Sequence, residues 1–230
     1  MPRVTGDPVI TWQPTEGTAV SPSQPTLAQV AVSPKSARAI VNVSRLLRLQ
    51  SDIDRVLARV LLRCAGYMID RAVLDGTGAT DQPLGIMRTP GISTQSGTSL
   101  AWAGVLSMKG NAAAINAEDG AIGFVGTPAV RTLLEGRARD ATNGSGFIWQ
   151  DNQIASCAAN ATTDMPTASL LCGPFAEAFY LSWGPGIVLE INPFDPALFK
   201  AGVIQVGVAM TCDVVVACAP AGFTKSESVT

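Results

Sequence analysis

The 230-residue sequence contains no histidine, and this absence excludes much of enzyme chemistry. Histidine completes the Ser-His-Asp and Cys-His catalytic arrangements and is the commonest metal ligand in proteins. The five cysteines are odd in number and include no C-x-x-C pair, which disfavours a zinc or thioredoxin-like site. The G-x-S-x-G, H-E-x-x-H and Walker-type motifs are also missing. We therefore predict neither an enzyme nor a cofactor or metal site.

Charged residues are scarce as well, at 15% of the chain against about a quarter in typical soluble domains. The formal net charge is −2, and lysine and arginine form no basic run, so sequence-specific binding of nucleic acid is not expected. With 47% hydrophobic residues the chain is expected to fold. The low charge predicts a largely neutral surface that neighbouring subunits cover.

Long hydrophobic runs are limited to residues 201–221, and this stretch includes Gln205 and Asp213. An aspartate in the middle of a bilayer costs about 2.5–3.5 kcal/mol, so two buried strands that separate near residues 211–213 explain the stretch better than a membrane span. Cys212 and Cys218 are predicted to share one face of a strand. No apolar signal-peptide core follows Met1.

Residues 51–75 predict one long helix. Ser51 and Asp54 have the spacing of a capping box at its start, and Gly76 is expected to end it. At 1.5 Å per residue, the segment would be about 35 Å long. Apolar residues at helical spacing predict a seam in the core of the chain. The members of this predicted seam are Ile53, Val56, Leu57, Val60, Leu61, Cys64 and Met68.

The residues before this helix predict a long β-hairpin. Weakly alternating arms around residues 9–12 and 27–32 flank a polar tip between Glu16 and Pro25. Because an isolated two-stranded hairpin is marginally stable in water, we expect this one to lie on another surface. Its candidate contact residues are Glu16, Val20, Leu27, Val30, Val32 and Lys35.

Two helices and a strand are predicted in the middle of the chain. Residues 102–117 favour a helix, residues 121–125 a short buried strand, and residues 128–135 a helix capped by Thr127 and closed by Gly136. The apolar face of the first helix is predicted to consist of Trp102, Val105, Leu106, Ala112 and Ala113.

The remaining segments are read as a hairpin, a tail and two loops. Residues 175–183 and 187–191 are predicted to pair across Gly184-Pro185-Gly186, and residues 225–230 to form a polar tail. Residues 137–146 are a candidate mobile loop. The glycine-rich segment 76–86 follows a helix rather than a strand, so it is not interpreted as a dinucleotide site.

The order of these features resembles the major capsid proteins of tailed double-stranded-DNA bacteriophages, which have the Hong Kong 97-type fold. The likeness covers nearly the whole chain and rests on order and spacing rather than on one decisive motif. The residues that carry it are Pro2-Arg3, Trp12, Glu16-Gly17, Val43-Ser44-Arg45-Leu46-Leu47, Gln50-Ser51, Asp70, Leu74-Asp75-Gly76-Thr77-Gly78, Gln82-Pro83-Leu84-Gly85-Ile86, Thr127-Pro128 and Pro220-Ala221-Gly222-Phe223.

This resemblance implies an α+β fold with a long spine helix and an extended E-loop hairpin. The implied divisions are a short N-terminal arm (1–15), the E-loop (16–37), a peripheral P-domain (38–101) with the spine helix (51–75), an axial A-domain (102–191), and P-domain strands with the C-terminal tail (192–230). Relatives usually carry more chain before the Pro-Arg pair, so the arm is expected to be short, processed away or removed by design.

The implied function is structural. The protein would assemble through hexamers and pentamers into an icosahedral shell in the host cytoplasm, and this virion capsid would enclose double-stranded DNA without sequence recognition. Portal, scaffold or decoration proteins are further candidate partners, and no membrane is involved. Two alternatives are an encapsulin-type nanocompartment, which would bind a cargo peptide on its inner face, and an enzyme or ligand-binding domain, which would be monomeric and stabilised by its ligand.

Some members of this family join their subunits by isopeptide bonds between a hairpin lysine and a P-domain asparagine. Lys35 is the only lysine in the hairpin region, and residues 199–219 contain no asparagine. We therefore predict that assembled subunits stay uncrosslinked. A denaturing, reducing gel of mature shells should show a single band at the subunit mass, and a ladder of its multiples would contradict the prediction.

Overall fold

The computed structural model describes residues 2–6, 8–13, 15–17, 19–79, 81–115, 121–140 and 146–230. Within these residues the chain forms helices and strands that alternate irregularly. The helices are α1 (Arg45–Gln50), α2 (Ile53–Asp75), α3 (Trp102–Ala113), α4 (Pro128–Glu135) and α5 (Pro196–Phe199). The strands are β1 (Pro2–Gly6), β2 (Thr26–Gln29), β3 (Lys35–Ser44), β4 (Ser93–Ser96), β5 (Ile122–Gly126), β6 (Trp149–Gln150), β7 (Gln153–Ile154), β8 (Cys157–Ala161), β9 (Leu170–Pro174), β10 (Ala178–Ser182), β11 (Val188–Asn192), β12 (Val203–Val216) and β13 (Thr224–Glu227).

The first sheet is built on β12, a strand of 14 residues. It alternates half-buried and buried residues over most of its length, as expected for a strand with one face on a core. Strand β3 pairs antiparallel with it over ten residues, from Ser44 opposite Val203 to Lys35 opposite Cys212. The prediction of two strands separated near residues 211–213 is wrong, because the ladder continues through this point without a break.

Strands β10 and β11 do not pair with each other. Both pair antiparallel with β12, β10 along its residues 212–216 and β11 along residues 205–209. Because Cys212 faces Lys35 of β3 and also Ser182 of β10, β10 must lie on the edge of β12 opposite to β3. The predicted hairpin is therefore wrong. Residues 183–187 instead connect two strands that follow one another along the same edge.

The second sheet has seven strands in the order β4-β13-β9-β5-β8-β7-β6. Helices α3 and α4 contribute Val105, Met108 and Leu134 to the core of this layer, together with Phe124 and Trp149 from its strands. The segment predicted as a polar tail is part of this sheet, since β13 pairs with β4 and β9 and buries Ser226. Backbone pairing across two strands outweighs the polar character of these side chains.

Local signals at α4 and α3 are confirmed in large part. Helix α4 has the predicted bounds, and Thr127 Oγ1 accepts a hydrogen bond from the Val130 N–H. Helix α3 ends at Ala113, and its buried face contains Val105 and Ala112. Leu106 and Ala113 are exposed, so the predicted apolar face is only partly correct. Met108, which was not predicted as part of this face, is buried between Val105 and Ala112 along the helix. The predicted continuation of α3 is wrong at residues 114–115, which form a turn, while residues 116–117 and 141–145 lie outside the described residues.

The long helix α2 is confirmed, but its predicted capping box is wrong. The Ser51 hydroxyl donates to the Leu47 carbonyl and closes the preceding helix α1, while the Asp54 carboxylate accepts from Arg48 Nε at 2.6 Å. The N-cap residue of α2 is Asp52. Because α1 ends directly before α2, the polar side chains at this junction bind α1 instead.

The predicted seam of α2 divides into two groups. Leu61 is buried and Ile53 and Leu57 are half-buried against the β12 sheet, where Ala65 joins them. Val56, Val60, Cys64 and Met68 are exposed, which contradicts their assignment to the core of the chain. A helix that packs on one sheet buries a single stripe at i, i+4 spacing, and the wider predicted stripe needs a second surface, which the described residues do not supply.

The glycine-rich loop after α2 folds back onto the end of the helix. Gly76 N–H donates to the Ala72 carbonyl, and Gly85 N–H donates to the Gly76 carbonyl. A Cβ on Gly85 would meet the backbone nitrogen of Asp75 at 2.9 Å and the Ala72 oxygen at 3.0 Å. A bidentate ion pair from Arg88 to Asp75 holds the next turn in place and raises the pKa of the Arg88 guanidinium. The glycines therefore serve backbone packing.

This close approach predicts different effects for two glycine substitutions. Gly85→Ala should destabilise the chain by more than about 2 kcal/mol, because its Cβ collides with backbone that cannot move freely. Gly66 lies in the middle of α2, and a Cβ added there would have no neighbour within 4 Å. Gly66→Ala should therefore stabilise the folded chain by about 0.5–1 kcal/mol. Thermal or denaturant unfolding measures both. Equal stability of the two variants would contradict the role of Gly85.

The division of α2 into core and exposed faces also predicts two outcomes for one chemical change. Leu61→Asp places a carboxylate at a site that is 4% exposed. It should lower the free energy of unfolding by more than about 4 kcal/mol, which is enough to prevent stable folding. Leu62→Asp, at a site 46% exposed, should leave a cooperative transition close to that of the parent. Far-ultraviolet circular dichroism during heating distinguishes them, and a cooperatively melting Leu61→Asp would show that this face is not core.

Candidate assembly surfaces

The N-terminal hairpin begins earlier than predicted. Strand β1 pairs antiparallel with β2, with Pro2 opposite Gln29 and Val4 opposite Leu27. Further out, the Val9 N–H donates to Ser23 Oγ at 2.7 Å, and the same hydroxyl donates to the Val9 carbonyl. The division implied by the family resemblance, an arm (1–15) and an E-loop (16–37), therefore separates two strands that pair with each other. Strand β1 lies in the first arm of the hairpin, and β2 lies in the second, returning arm.

The base of the hairpin is fixed by one buried carboxylate. Asp213, which lies within β12, accepts hydrogen bonds from the Ser33 N–H at 2.7 Å and from the Val214 N–H at 2.9 Å. Hydrogen bonds to an ionised acceptor are about twice as strong as neutral ones, so two of them offset part of the free-energy cost of burying a carboxylate. The second arm of the hairpin is thereby attached to β12 just before β3 begins.

Beyond this base, the hairpin exposes large apolar side chains. Ile10 is 92% exposed and Trp12 is 93% exposed, and Val9 beside them is also largely exposed. No core cluster of the described chain includes them. Exposed aromatic and aliphatic residues in one short segment mark a surface that binds another molecule. The sequence analysis placed residues 9–12 in one arm of the predicted hairpin, but it did not include Ile10 and Trp12 among the contact residues, although their alternation was visible.

The predicted hairpin residues fall into two groups. Glu16, Val20 and Leu27 lie exposed along the tip and the return arm. Val30 and Val32 are half-buried near the base, and Lys35 is the first residue of β3 rather than part of the hairpin. Only the first group shares the exposed part of the hairpin with Ile10 and Trp12.

A cavity of about 410 Å³ lies between the C-terminal half of α2, the start of β3 and the loop after α2. Met68, Ile69 and Met210 give it an apolar lining. Charges of both signs also line it, from Lys35, Arg71, Asp75 and Asp81. A second cavity of about 330 Å³ shares Lys35 with it and reaches Val30 and Asp213. The two form a partly apolar depression beside the hairpin base.

The long helix presents a second apolar surface. Its residues, here called the apolar flank, are Val56, Val60, Cys64 and Tyr67, and all four are exposed. They lie on the side of α2, next to the stripe that contacts the β12 sheet. Cys64 is thus not the core hydrophobe that its spacing predicted. An apolar flank on a helix that already packs on a sheet indicates a contact outside the chain.

The other cysteines show no reactive setting. Burial raises the pKa of the Cys172 thiol, which keeps it protonated and inert. Cys212 is buried in β12, whereas Cys218 lies beyond the end of that strand, so the two do not share a strand face as predicted. Among the described residues, no three His, Cys, Asp or Glu side chains come together as a metal site. None of the helices in the described ranges combines the length and apolar character of a membrane span.

Comparison with known proteins gives consistent similarities. A family model described as the phage capsid family matches residues 1–218. A major capsid protein of Halomonas phage phiHAP-1 is 24% identical over 159 residues, which are 67% of this chain and 26% of that relative. The chain thus matches about a quarter of the length of this curated relative.

Solved structures share the fold at low sequence identity. The capsid of an empty GTA particle superposes with a TM-score of 0.78 at 15% identity, and covers 100% of this chain and 84% of that one. A structure of Gordonia phage Cozz gives a TM-score of 0.69 at 16% identity, with 99% and 80% covered.

Proposed function

Because this chain belongs to the phage capsid family, we propose that it is a major capsid subunit that assembles through hexamers and pentamers into a closed icosahedral shell around double-stranded DNA. The observation that carries this proposal is the hairpin, whose most exposed apolar residues have no partner surface in the described chain. A subunit of this shape is incomplete until a second copy covers it.

The α+β fold of the Hong Kong 97 type is confirmed by the structural similarities. Its division is a proposal. The β12 sheet with α2 corresponds to the P-domain and the N-terminal hairpin to the E-loop, while the seven-stranded sheet forms most of the A-domain. In this division, residues 178–192 belong with the P-domain strands, because β10 and β11 pair with β12. We assign the assembled subunit to the virion capsid, and its assembly to the host cytoplasm.

The hairpin supports assembly because it cannot be stabilised alone. Ordering a residue costs about 1–2 kcal/mol of backbone entropy, whereas burying a large apolar side chain fully stabilises the fold by about 1.5–3 kcal/mol. Ile10 and Trp12 contribute almost no stabilisation while they are exposed to water. We infer that the hairpin of one subunit lies over the depression between α2 and β3 of the next, and that ordering and contact occur together.

This contact is heterologous, since the tip of one copy meets a different surface of its neighbour. Repeated around an axis, such a contact closes a ring, which is the geometry that pentamers and hexamers require. The apolar flank of α2 is a further surface that neighbouring copies would cover. We propose no catalytic role. An encapsulin shell is not favoured by the phage capsid similarities, and portal, scaffold or decoration proteins stay as candidate partners.

The hairpin contact predicts separation of folding from assembly. The double variant Ile10→Asp/Trp12→Asp should melt within about 2 °C of the parent, because both side chains are exposed in the subunit. It should form no closed particles, since two carboxylates would have to enter an apolar contact. Light scattering and negative-stain electron microscopy measure particle formation.

Thr11→Asp is the matched control, because Thr11 is exposed between the two substituted residues and is already polar. It should assemble as the parent does. Normal particles from the double variant would show that the hairpin tip is dispensable. A parent protein that is monomeric at all concentrations would contradict the proposed function itself.

A further inference from the structure

Three arginines form a row along α2. Arg55, Arg59 and Arg63 follow one another at four-residue intervals, and all three are exposed. With a rise of 1.5 Å per residue, neighbouring members are about 6 Å apart along the axis and the row is about 12 Å long. This row is called the arginine ridge below.

The ridge faces away from the sheet that α2 packs on. Leu61 and Ala65 mark the inward face, because they are buried against Val206, Val208 and Met210. Arg59 and Arg63 lie two residues before and after Leu61, which places them about 160° from it around the helix. The ridge is therefore on the outermost side of the helix, where another molecule can reach it.

No ion pair in the described part of the chain involves the ridge. Other arginines of this chain do have carboxylate partners: Arg38 with Glu190, Arg48 with Asp54, Arg88 with Asp75 and Arg131 with Glu135. Asp54, the acid nearest to the ridge in sequence, is engaged by Arg48. Asp70 lies on the same side of α2, but it is seven residues beyond Arg63, which is about 10 Å along the axis. The ridge is thus a local positive surface on a chain of net charge −2.

We propose that the arginine ridge binds the phosphate backbone of double-stranded DNA, and that this side of α2 consequently faces the interior of the shell. The inference rests on the proposed function and adds the surface that meets the packaged molecule. A duplex carries one phosphate per about 3.4 Å on each strand, so a row of about 12 Å faces three to four phosphates of one strand. Guanidinium groups bind phosphate strongly and in a fixed geometry.

Such a contact fits a container for DNA of any sequence. Phosphate contacts position a duplex without reading its bases, and three of them in one subunit bind weakly. Repetition over the many subunits of a shell turns weak contacts into strong retention while each one exchanges quickly. The neutral surface around the ridge keeps the attraction local, which lets DNA move as it fills the interior.

The test compares two double variants of the unassembled subunit with equal loss of charge, because a closed shell would keep an added duplex away from its inner face. Arg59→Gln/Arg63→Gln removes two members of the ridge, and Arg38→Gln/Arg131→Gln removes two arginines that have carboxylate partners. Binding of a fluorescent 30-base-pair duplex is followed by anisotropy across salt concentrations. For the ridge variant, we expect affinity at 50 mM salt to fall at least tenfold and the slope of log K against log salt to shrink by about 1.8, because each phosphate contact contributes about 0.9.

The control variant should keep the affinity and salt slope of the parent. Equal losses in the two variants, or a parent subunit that does not bind the duplex, would overturn the inference and leave the proposed function intact. Loss of particles by the ridge variant with unchanged duplex binding would assign the ridge to a subunit contact. Tighter binding of a poly-glutamate peptide than of the duplex would assign it to an acidic protein segment. Particle formation, scored separately by electron microscopy, tests the proposed function alone.

Discussion

The pairing of β12 on both edges is the interaction on which the first sheet, α2 and the hairpin depend. Strand β3 occupies one edge over ten residues, and β10 and β11 follow one another along the other. One face of the strand packs against Leu61 and Ala65 of α2. Asp213, in the same strand, fixes the base of the hairpin through the Ser33 N–H. A single strand thus positions the long helix, the hairpin and the neighbouring strands, and local distortion of β12 would reach all three.

The hairpin and the helix show the same physical imbalance. Each has more apolar surface than the chain can bury, at Ile10 and Trp12 in one case and along the apolar flank in the other. In a monomeric protein such surfaces are a liability for aggregation. In the proposed shell they would be the contact area, and the low share of charged residues, 15% of the chain, would reduce the cost of desolvating each contact.

Helix α2 divides its circumference among three environments. One stripe contacts the β12 sheet, the apolar flank lies beside it, and the arginine ridge points away from the sheet. Apolar burial stabilises the packing of the first stripe on the sheet, whereas the proposed contact of the ridge depends on electrostatics. Salt would therefore weaken contacts of the ridge more than the assembly of the apolar surfaces.

Features that depend on neighbouring residues could be predicted from the sequence. The capped helix α4, the length of α2 and its end at Gly76 follow from spacing and caps within a few residues. The order of motifs along the chain was enough to identify the capsid family and its fold. Features that depend on distant partners could not be predicted. Backbone hydrogen bonds between segments far apart in sequence decide that residues 178–192 pair with β12 rather than with each other. They also decide that residues 224–227 form a strand rather than a tail. Likewise, the burial of Leu61 and the exposure of Val60 on one helix depend on which side the single sheet occupies, and periodicity alone carries no information about that.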